Sequence, residues 1–439
     1  VSLEMHERLG ELLRQSQKTN PRLKGWRFDL HWTDGLDIGV KNNQIGGPYS
    51  APGYKQSISG EIYLVWEDFR FTAAKLEARV VEEFPDYLKL WEKTSYHDPD
   101  GVGIFTPASL PEVDLADAEA QAIIDRQVER PFELLSEGIH RLRQSGIRKV
   151  DARIKCFHDQ RHLMNSDGFH LSYAQTPVEF YFIANDSYGK GYSEKKWPDA
   201  GDINRIIRET ITVSQQLEEP CSATFSGSMT LILPPEMFET FINQFLIANL
   251  YGSLVLNRQS RFVLEDFQEH RPVIRDDLSL TINNLLPYRG SSYICTAEGV
   301  PGGTIVLIDG GKLQSPILNL KYAKKAGMNP TPVPPGGSGF FITGRNPFPQ
   351  WEDVLNTIDR GLIIYSVLGM HTQDASSGHF SLTADQCLYV ENGKIRGKTK
   401  AVINGDFILA LNHRESQLFT VEGEEDNPGF VFTANAIST

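Results

Sequence analysis

Thr304-Ile305-Val306-Leu307-Ile308 runs straight into Asp309-Gly310, and the same pattern returns twice: Cys387–Val390 leads to Asn392-Gly393, and Ala401-Val402-Ile403 leads to Asn404-Gly405. Each is an apolar, β-branched run followed by a dipeptide that tolerates the positive φ of a tight hairpin turn. Three such signals in one half of the chain predict an antiparallel, barrel- or sandwich-like arrangement. Pro330 to Gly339, with four prolines and three glycines, reads as a loop that continues neither a helix nor a central strand. Upstream, Met229–Leu233 reads as a short strand. A helix follows over Pro235–Leu250, with Phe238, Phe241, Ile242 and Phe245 at i, i+3, i+4, i+7.

Before about Ser222 the pattern changes. Met5, Leu9, Leu12 and Leu13 mark one face of a first helix. Trp26–Leu30 and Leu36–Val40 flank Asp34-Gly35 and read as a hairpin. A strand is expected at Ile58–Trp66, helical stretches at Thr72–Trp91 and Leu115–Ser145, and strands at Lys149–Phe157 and Gly168–Ile183. A helix over Ile203–Gln216 puts Ile203, Ile206, Ile207 and Ile211 on one side. The expected fold is α+β: an N-terminal mixed α/β domain over residues 1–222, then a C-terminal antiparallel, β-rich, barrel-like domain over 223–439.

The 439 residues carry a net charge of −13, with 40% apolar and 23% charged residues. This is the composition of a folded soluble protein. The acidic balance excludes a basic stripe for nucleic acid. Cys156, Cys221, Cys295 and Cys387 are scattered, with no C-x-x-C spacing, as expected of reduced thiols in a cytoplasmic protein. No secretory pattern is visible at the start. The longest uncharged stretch, Thr240–Asn257, contains Asn243, Gln244 and Asn249 and reads as a buried helix followed by a strand, not a membrane span.

His158-Asp159-Gln160-Arg161-His162 has two histidines four apart, the spacing that shares one zinc on a helix. The segment before it alternates like a strand, and on a strand residues four apart stand roughly 13 Å apart at a ~3.3 Å rise. His371 and His379, with Asp374 and Asp385, fall in a Gly- and Ser-rich loop open to metal binding, partner contact or plain connection. No G-x-S-x-G elbow, Walker loop or G-x-G-x-x-G is present.

Several short motifs, in order, resemble the TldD/PmbA (TldE) family. Cys295-Thr296-Ala297-Glu298-Gly299-Val300-Pro301 and the strand and hairpin Thr304–Leu313 are similar to its aromatic-Asp-x-Glu-Gly-Val-like turn and following hairpin. Tyr322-Ala323-Lys324-Lys325-Ala326-Gly327, Gly361-Leu362-Ile363-Ile364 with Leu368-Gly369, Ser377-Gly378-His379-Phe380-Ser381 and Val390-Glu391-Asn392-Gly393-Lys394-Ile395 resemble its next elements. The agreement spans roughly Leu231–Leu411, and Asn165-Ser166-Asp167-Gly168 also fits. The resemblance implies a cytoplasmic peptidase system, typically a heterodimer with a peptide-sized channel. Its TldD-type subunit holds zinc through a His-Glu-x-x-x-His helix and a later cysteine; its TldE-type subunit has the same fold without metal ligands.

Here Thr240–Gly252, where that helix falls, has no His, Asp, Glu or Cys, and the segment Asn427–Phe432 lacks the Cys-Gly-Lys-like metal segment. The expectation is a TldE-like subunit without catalytic residues, metal or other cofactor, paired with a zinc-bearing TldD-like subunit. It would bind peptide or unfolded protein, and neither nucleic acid nor membrane. The resemblance points to Glu298, Gly299, Ser377, Gly378 and His379 as peptide-binding residues, although the family usually has Asp at the position of His379. Two other readings stay open: an independently active hydrolase using His158, His162, His371 or His379, and a homodimeric peptide-binding protein.

Overall fold

The computed structural model describes residues 2–46, 52–333 and 338–439. The expected loop Pro330–Gly339 is therefore described except at 334–337, which lie outside the described residues. The N-terminal half is built on one antiparallel sheet. Its strands are β1 (Leu23–Lys41), β2 (Gln44–Ile45), β3 (Gly53–Trp66), β4 (Arg70–Leu76), β5 (Tyr96–His97), β6 (Val150–Asn165), β7 (His170–Gln175), β8 (Val178–Ala184) and β9 (Tyr188–Glu194). The order is β5-β4-β3-β1-β6-β8-β9, with β2 on β1 and β7 on β6.

Alternation along β1 decides what covers each face. Trp26, Phe28 and Leu30 pack with Met5, Leu9 and Leu13 of helix α1 (Ser2–Thr19) and with Phe84 and Trp91 of α2 (Phe84–Lys93). Ile38 and Val40 continue that face under α3 (Ala118–Arg126), α4 (Glu129–Gln144) and α5 (Ala200–Gln216). The opposite face presents Arg27, Asp29 and His31. There Arg161 Nε donates to Asp29 Oδ1 at 2.8 Å, while its Nη1 donates to the Cys295 carbonyl at 3.0 Å, tying the sheet to the C-terminal half.

The C-terminal half begins with β10 (Ser226–Leu233), α6 (Pro235–Phe245) and α7 (Gly252–Leu256). A small sheet follows, made of β11 (Leu278–Asn283), β12 (Thr304–Asp309), β13 (Lys312–Leu313) and β14 (Phe340–Gly344) in the order β13-β12-β11-β14. The remaining strands are β15 (Arg360–Leu368), β16 (His379–Glu391), β17 (Lys394–Asp406), β18 (Gln417–Phe419) and β19 (Gly429–Ser438). They run β10-β15-β16-β17-β19, and β19 pairs back with β10. That closes a ring, so the barrel-like expectation holds. Phe241 and Phe245 of α6 pack against Phe380, Phe407, Phe430 and Phe432 in its core. Helix α5 belongs to two cores: Ile206 and Ile207 pack in the N-terminal half, while Val213 and Leu217 pack with Ile232, Leu388 and Val431 of the barrel.

Several local expectations are corrected. Asp34-Gly35 is not a turn, because β1 runs unbroken through it with Gly35 paired to Lys55 on one side and Phe157 on the other. Two long neighbours outweigh the dipeptide's turn preference. Asn404-Gly405 is likewise inside β17, paired to Ser381 and Phe380. Asn392-Gly393 does turn, with φ of 51° and 69°. The stretch Thr72–Trp91 opens as strand β4, paired to β3, and becomes α-helical only at Phe84. Helices α3 and α4 break the second helical stretch at Gln127–Val128, and Gly252–Leu256 is a helix, not a strand. No helix among the described residues is long and apolar enough to cross a membrane.

Gly35 has φ 153°, and a Cβ there would lie 2.2 Å from the Cys156 carbonyl oxygen. Gly35→Ala is therefore expected to destabilise by ~2–3 kcal/mol through overpacking of a central strand, read from the shift of the urea midpoint at constant m.

Candidate functional site

Glu298 lies where the two halves meet. Its Oε1 accepts from Arg27 Nη2 at 3.2 Å, and its Oε2 accepts from the Leu320 N–H at 2.8 Å. Gly299, at φ 82°, brings the backbone close to the Phe105 carbonyl. Ser377, Gly378 and His379 occupy a separate place at the start of β16. Ser377 Oγ accepts the His379 N–H, Gly378 lies against Arg261 and Asp406, and His379 is 71% exposed with Nδ1 3.6 Å from Asp406. The loop before them is pinned to the end of α6: Gln244 donates to the Gln373 carbonyl and Asn249 to the Ala375 carbonyl. The five residues thus form two neighbourhoods with no shared contact residue.

The histidines do not converge either. His158 and His162 are both on β6, as the strand reading expects. His158 Nδ1 stands 3.6 Å from Asp34, whereas His162 stacks on His6 with ring centres 3.8 Å apart. His371 sits in a short 3-10 turn, Met370–Thr372. Among the described residues, no group of three or more His, Cys, Asp or Glu could hold a metal ion.

A cavity of about 910 Å³ opens between the halves. It is walled by β8, β9, the start of α5, one face of α6, β14 and the segment 423–428. Eight carboxylates line it against four cations. Lys190, 5% exposed, points Nζ at Glu424 (2.8 Å), Glu209 (3.2 Å) and Glu236. Burial works against its charge, but the three carboxylates outweigh burial and raise its pKa. Arg205 pairs with Glu424, and Arg289 pairs with Glu194 at 3.0 Å and with Asp426. Glu239 stands open to the cleft, ringed by protein. Burial, then Glu236, raises its pKa, and among the described residues no cation lies within ion-pair distance of it.

The sequence reading did not find this cleft, although Glu236, Glu239 and Asn243 fall at i, i+3, i+7 on α6, beside its phenylalanine stripe. That polar stripe was the available signal.

The zinc implied by the family resemblance does not fit Thr240–Gly252, the stretch where its ligands would fall. Asn243, Gln244 and Asn249 supply only amides. Asn249 already donates to the Phe245 and Ala375 carbonyls and accepts the Arg261 N–H, and Asn243 Oδ1 is buried without a hydrogen-bond partner. Amides are weak ligands for zinc, and they cannot deprotonate its water.

Residues 226–418 match the profile of the PmbA/TldA metallopeptidase C-terminal domain. The fold of the whole chain agrees with solved relatives. TldE from Thermococcus kodakarensis superposes with a TM-score of 0.78 at 17% identity, over 98% of this chain and 100% of that one. A putative modulator of DNA gyrase from Bacteroides thetaiotaomicron gives 0.77 at 15% identity, over 99% of both chains. One from Thermotoga maritima gives 0.77 at 17%, over 98% and 100%. In sequence, a protein of Methanothermobacter thermautotrophicus named metalloprotease is 22% identical over 303 residues, 64% of each chain. An uncharacterised protein of Methanocaldococcus jannaschii is 24% identical over 203 residues, 43% of this chain and 49% of its own. The aligned chain thus spans from about half to just under two thirds of these curated relatives.

Between the C-terminal half and the N-terminal sheet, Lys190 is the cation that three carboxylates share. Lys190→Met leaves Glu209 largely buried without a cation and Glu424 with Arg205 alone, while Glu236 is half exposed, and is expected to cost ~3 kcal/mol at neutral pH, partly recovered on acidification as the carboxylates protonate. Thermal unfolding across pH checks it.

Two histidines set the pH response of the sheet. His31 sits 3.1 Å from Asp159 and 3.4 Å from Asp29. Burial disfavours its charge, but the two carboxylates prevail and raise its pKa to about 9. His162 is lowered to about 4, by burial first and then by His6 and His170. Against an unfolded pKa of about 6.5, the contribution of His31 is complete below that pH and is lost as pH rises towards 9. The contribution of His162 is complete above it and is lost as pH falls towards 4. Urea unfolding over this range should show both limbs, each on the order of 1–3 kcal/mol. His31→Gln should flatten the alkaline limb and His162→Gln the acid limb.

Proposed function

We propose that this chain is a TldE-like, metal-free subunit that holds an extended peptide for a zinc-bearing TldD-like partner in the cytoplasm, in peptide maturation or degradation. The observation that carries the reading is α6. It faces the cleft with Glu236, Glu239 and Asn243 and offers amides where a metallopeptidase of this family needs imidazoles and a carboxylate base. The whole-length fold likeness to the Thermococcus TldE supports the same subunit type, and the name of the Methanothermobacter relative supports a link to proteolysis. In this reading the chain shapes and charges the substrate channel, while the partner's zinc activates the water that attacks the scissile carbonyl.

The test is elemental analysis and a peptidase assay of the purified chain, alone and mixed with a TldD-like chain. The expected result is far less than one zinc per chain and no turnover alone, with a 1:1 complex and activity only in the mixture. Stoichiometric zinc with activity in the isolated chain would overturn the reading. A homodimer that ignores the partner would replace it with a stand-alone peptide-binding protein.

A further inference from the structure

We propose that the cleft selects extended peptides bearing lysine or arginine, with Glu239 reading the positive charge and β14 pairing with the peptide backbone. This rests on the peptide-holding reading and adds the class of peptide.

The backbone argument comes from β14. It ends its sheet, and among the described residues it is paired only with β11, so one row of its N–H and C=O groups has no described strand beside it. Phe340, Phe341 and Ile342 are consecutive, and all three line the cavity. Leu280, which pairs with Ile342 on β11, lines the cavity too, so the cavity covers the face of this sheet that carries Phe340 and Ile342; successive strand residues point to opposite faces, so Phe341 is reached around the free edge of β14. An edge that borders a cavity is the geometry for strand addition, in which main-chain hydrogen bonds hold any extended peptide and side-chain pockets choose among them.

Charge makes the choice. Three of the four cations that line the cavity, Lys190, Arg205 and Arg289, are already held by carboxylates of the chain, so an acidic side chain finds only Lys196 without breaking an existing pair, and it does so among eight carboxylates. Glu239 has the opposite situation. It projects from α6 one turn from Glu236, and Glu236 is itself turned towards Lys190. A cationic side chain at Glu239 removes a repulsion and breaks nothing. Because Glu239 resists ionisation more than an ordinary glutamate, cation binding should weaken on acidification sooner than for an ordinary glutamate.

The test uses fluorescence anisotropy with the full chain and three labelled octapeptides in which threonine alternates with lysine, glutamine or glutamate. The lysine peptide should bind about tenfold tighter than the glutamine peptide at low salt, and the glutamate peptide should bind weakest. Glu239→Gln should weaken the lysine peptide about three- to tenfold while leaving the glutamine peptide unchanged, which also reports an intact fold. Glu239→Lys should invert the order. N-methylation of alternate amides in the lysine peptide should weaken it about tenfold, since it removes the strand-pairing donors. Equal binding of all three peptides would overturn the charge selection and leave peptide holding in place. Binding of none would overturn peptide holding as well. Unaltered binding after N-methylation would remove β14 from the site.

Discussion

Strand β1 is hydrogen-bonded on both edges, to β3 and to β6, and this double pairing constrains the rest of the molecule. A strand held on both sides cannot shift register by one residue without exchanging its faces. Its even positions carry Trp26, Phe28, Leu30, Ile38 and Val40 to the helices. Its odd positions therefore carry Arg27, Asp29 and His31 away from them, where they meet Arg161, Asp159 and Glu298. A slip would bury those charges under α1 and expose the aromatic residues. The polar contacts joining the halves, from Arg161 and Arg27, are in this sense a by-product of sheet register. Their partners, the Cys295 carbonyl and Glu298, come from the segment that most clearly resembles the TldD/PmbA family.

The join is also built from buried cations whose charge is met locally. Lys195 gives its three protons to the carbonyls of Arg289, Gly290 and Ser292, and its pKa falls to about 8 through burial. Lys190, five residues earlier on β9, has three carboxylates instead and moves the other way. The first fixes one wall of the cleft through backbone dipoles. The second gathers acidic side chains from α5, α6 and the segment 423–428 around a single point, so the acidity of the cleft is anchored by a cation beneath it.

What the sequence disclosed follows from the range of the forces involved. Asn392-Gly393 was legible because the turn is decided by two residues' own φ preferences. The α6 face was legible because four aromatic and aliphatic positions share one helical period. The strand reading of His158 and His162 held because the alternating stretch before them belongs to β6, which runs on through both histidines to Asn165. Asp34-Gly35 and Asn404-Gly405 misled because their turn chemistry competes with pairing partners far along the chain, which local patterns do not contain. The cleft was hidden for the same reason. Its walls run from Glu179 to Pro428, and each of its carboxylates looks, one at a time, like part of a solvated surface. Glu298 was picked out by motif, yet its two acceptor oxygens are spoken for by Arg27 and the Leu320 N–H, a role that spacing does not reveal.

Helix α5 has its two flanks in different cores, Ile206 and Ile207 in one, Val213 and Leu217 in the other. Melting the helix would strip apolar cover from both sheets at once, and loosening either sheet would strip the helix. The two halves are therefore expected to unfold together in one transition. The boundary near residue 222 falls just past a helix that both sheets share, and any strain placed on the cleft by an occupant would be felt on both sides of it.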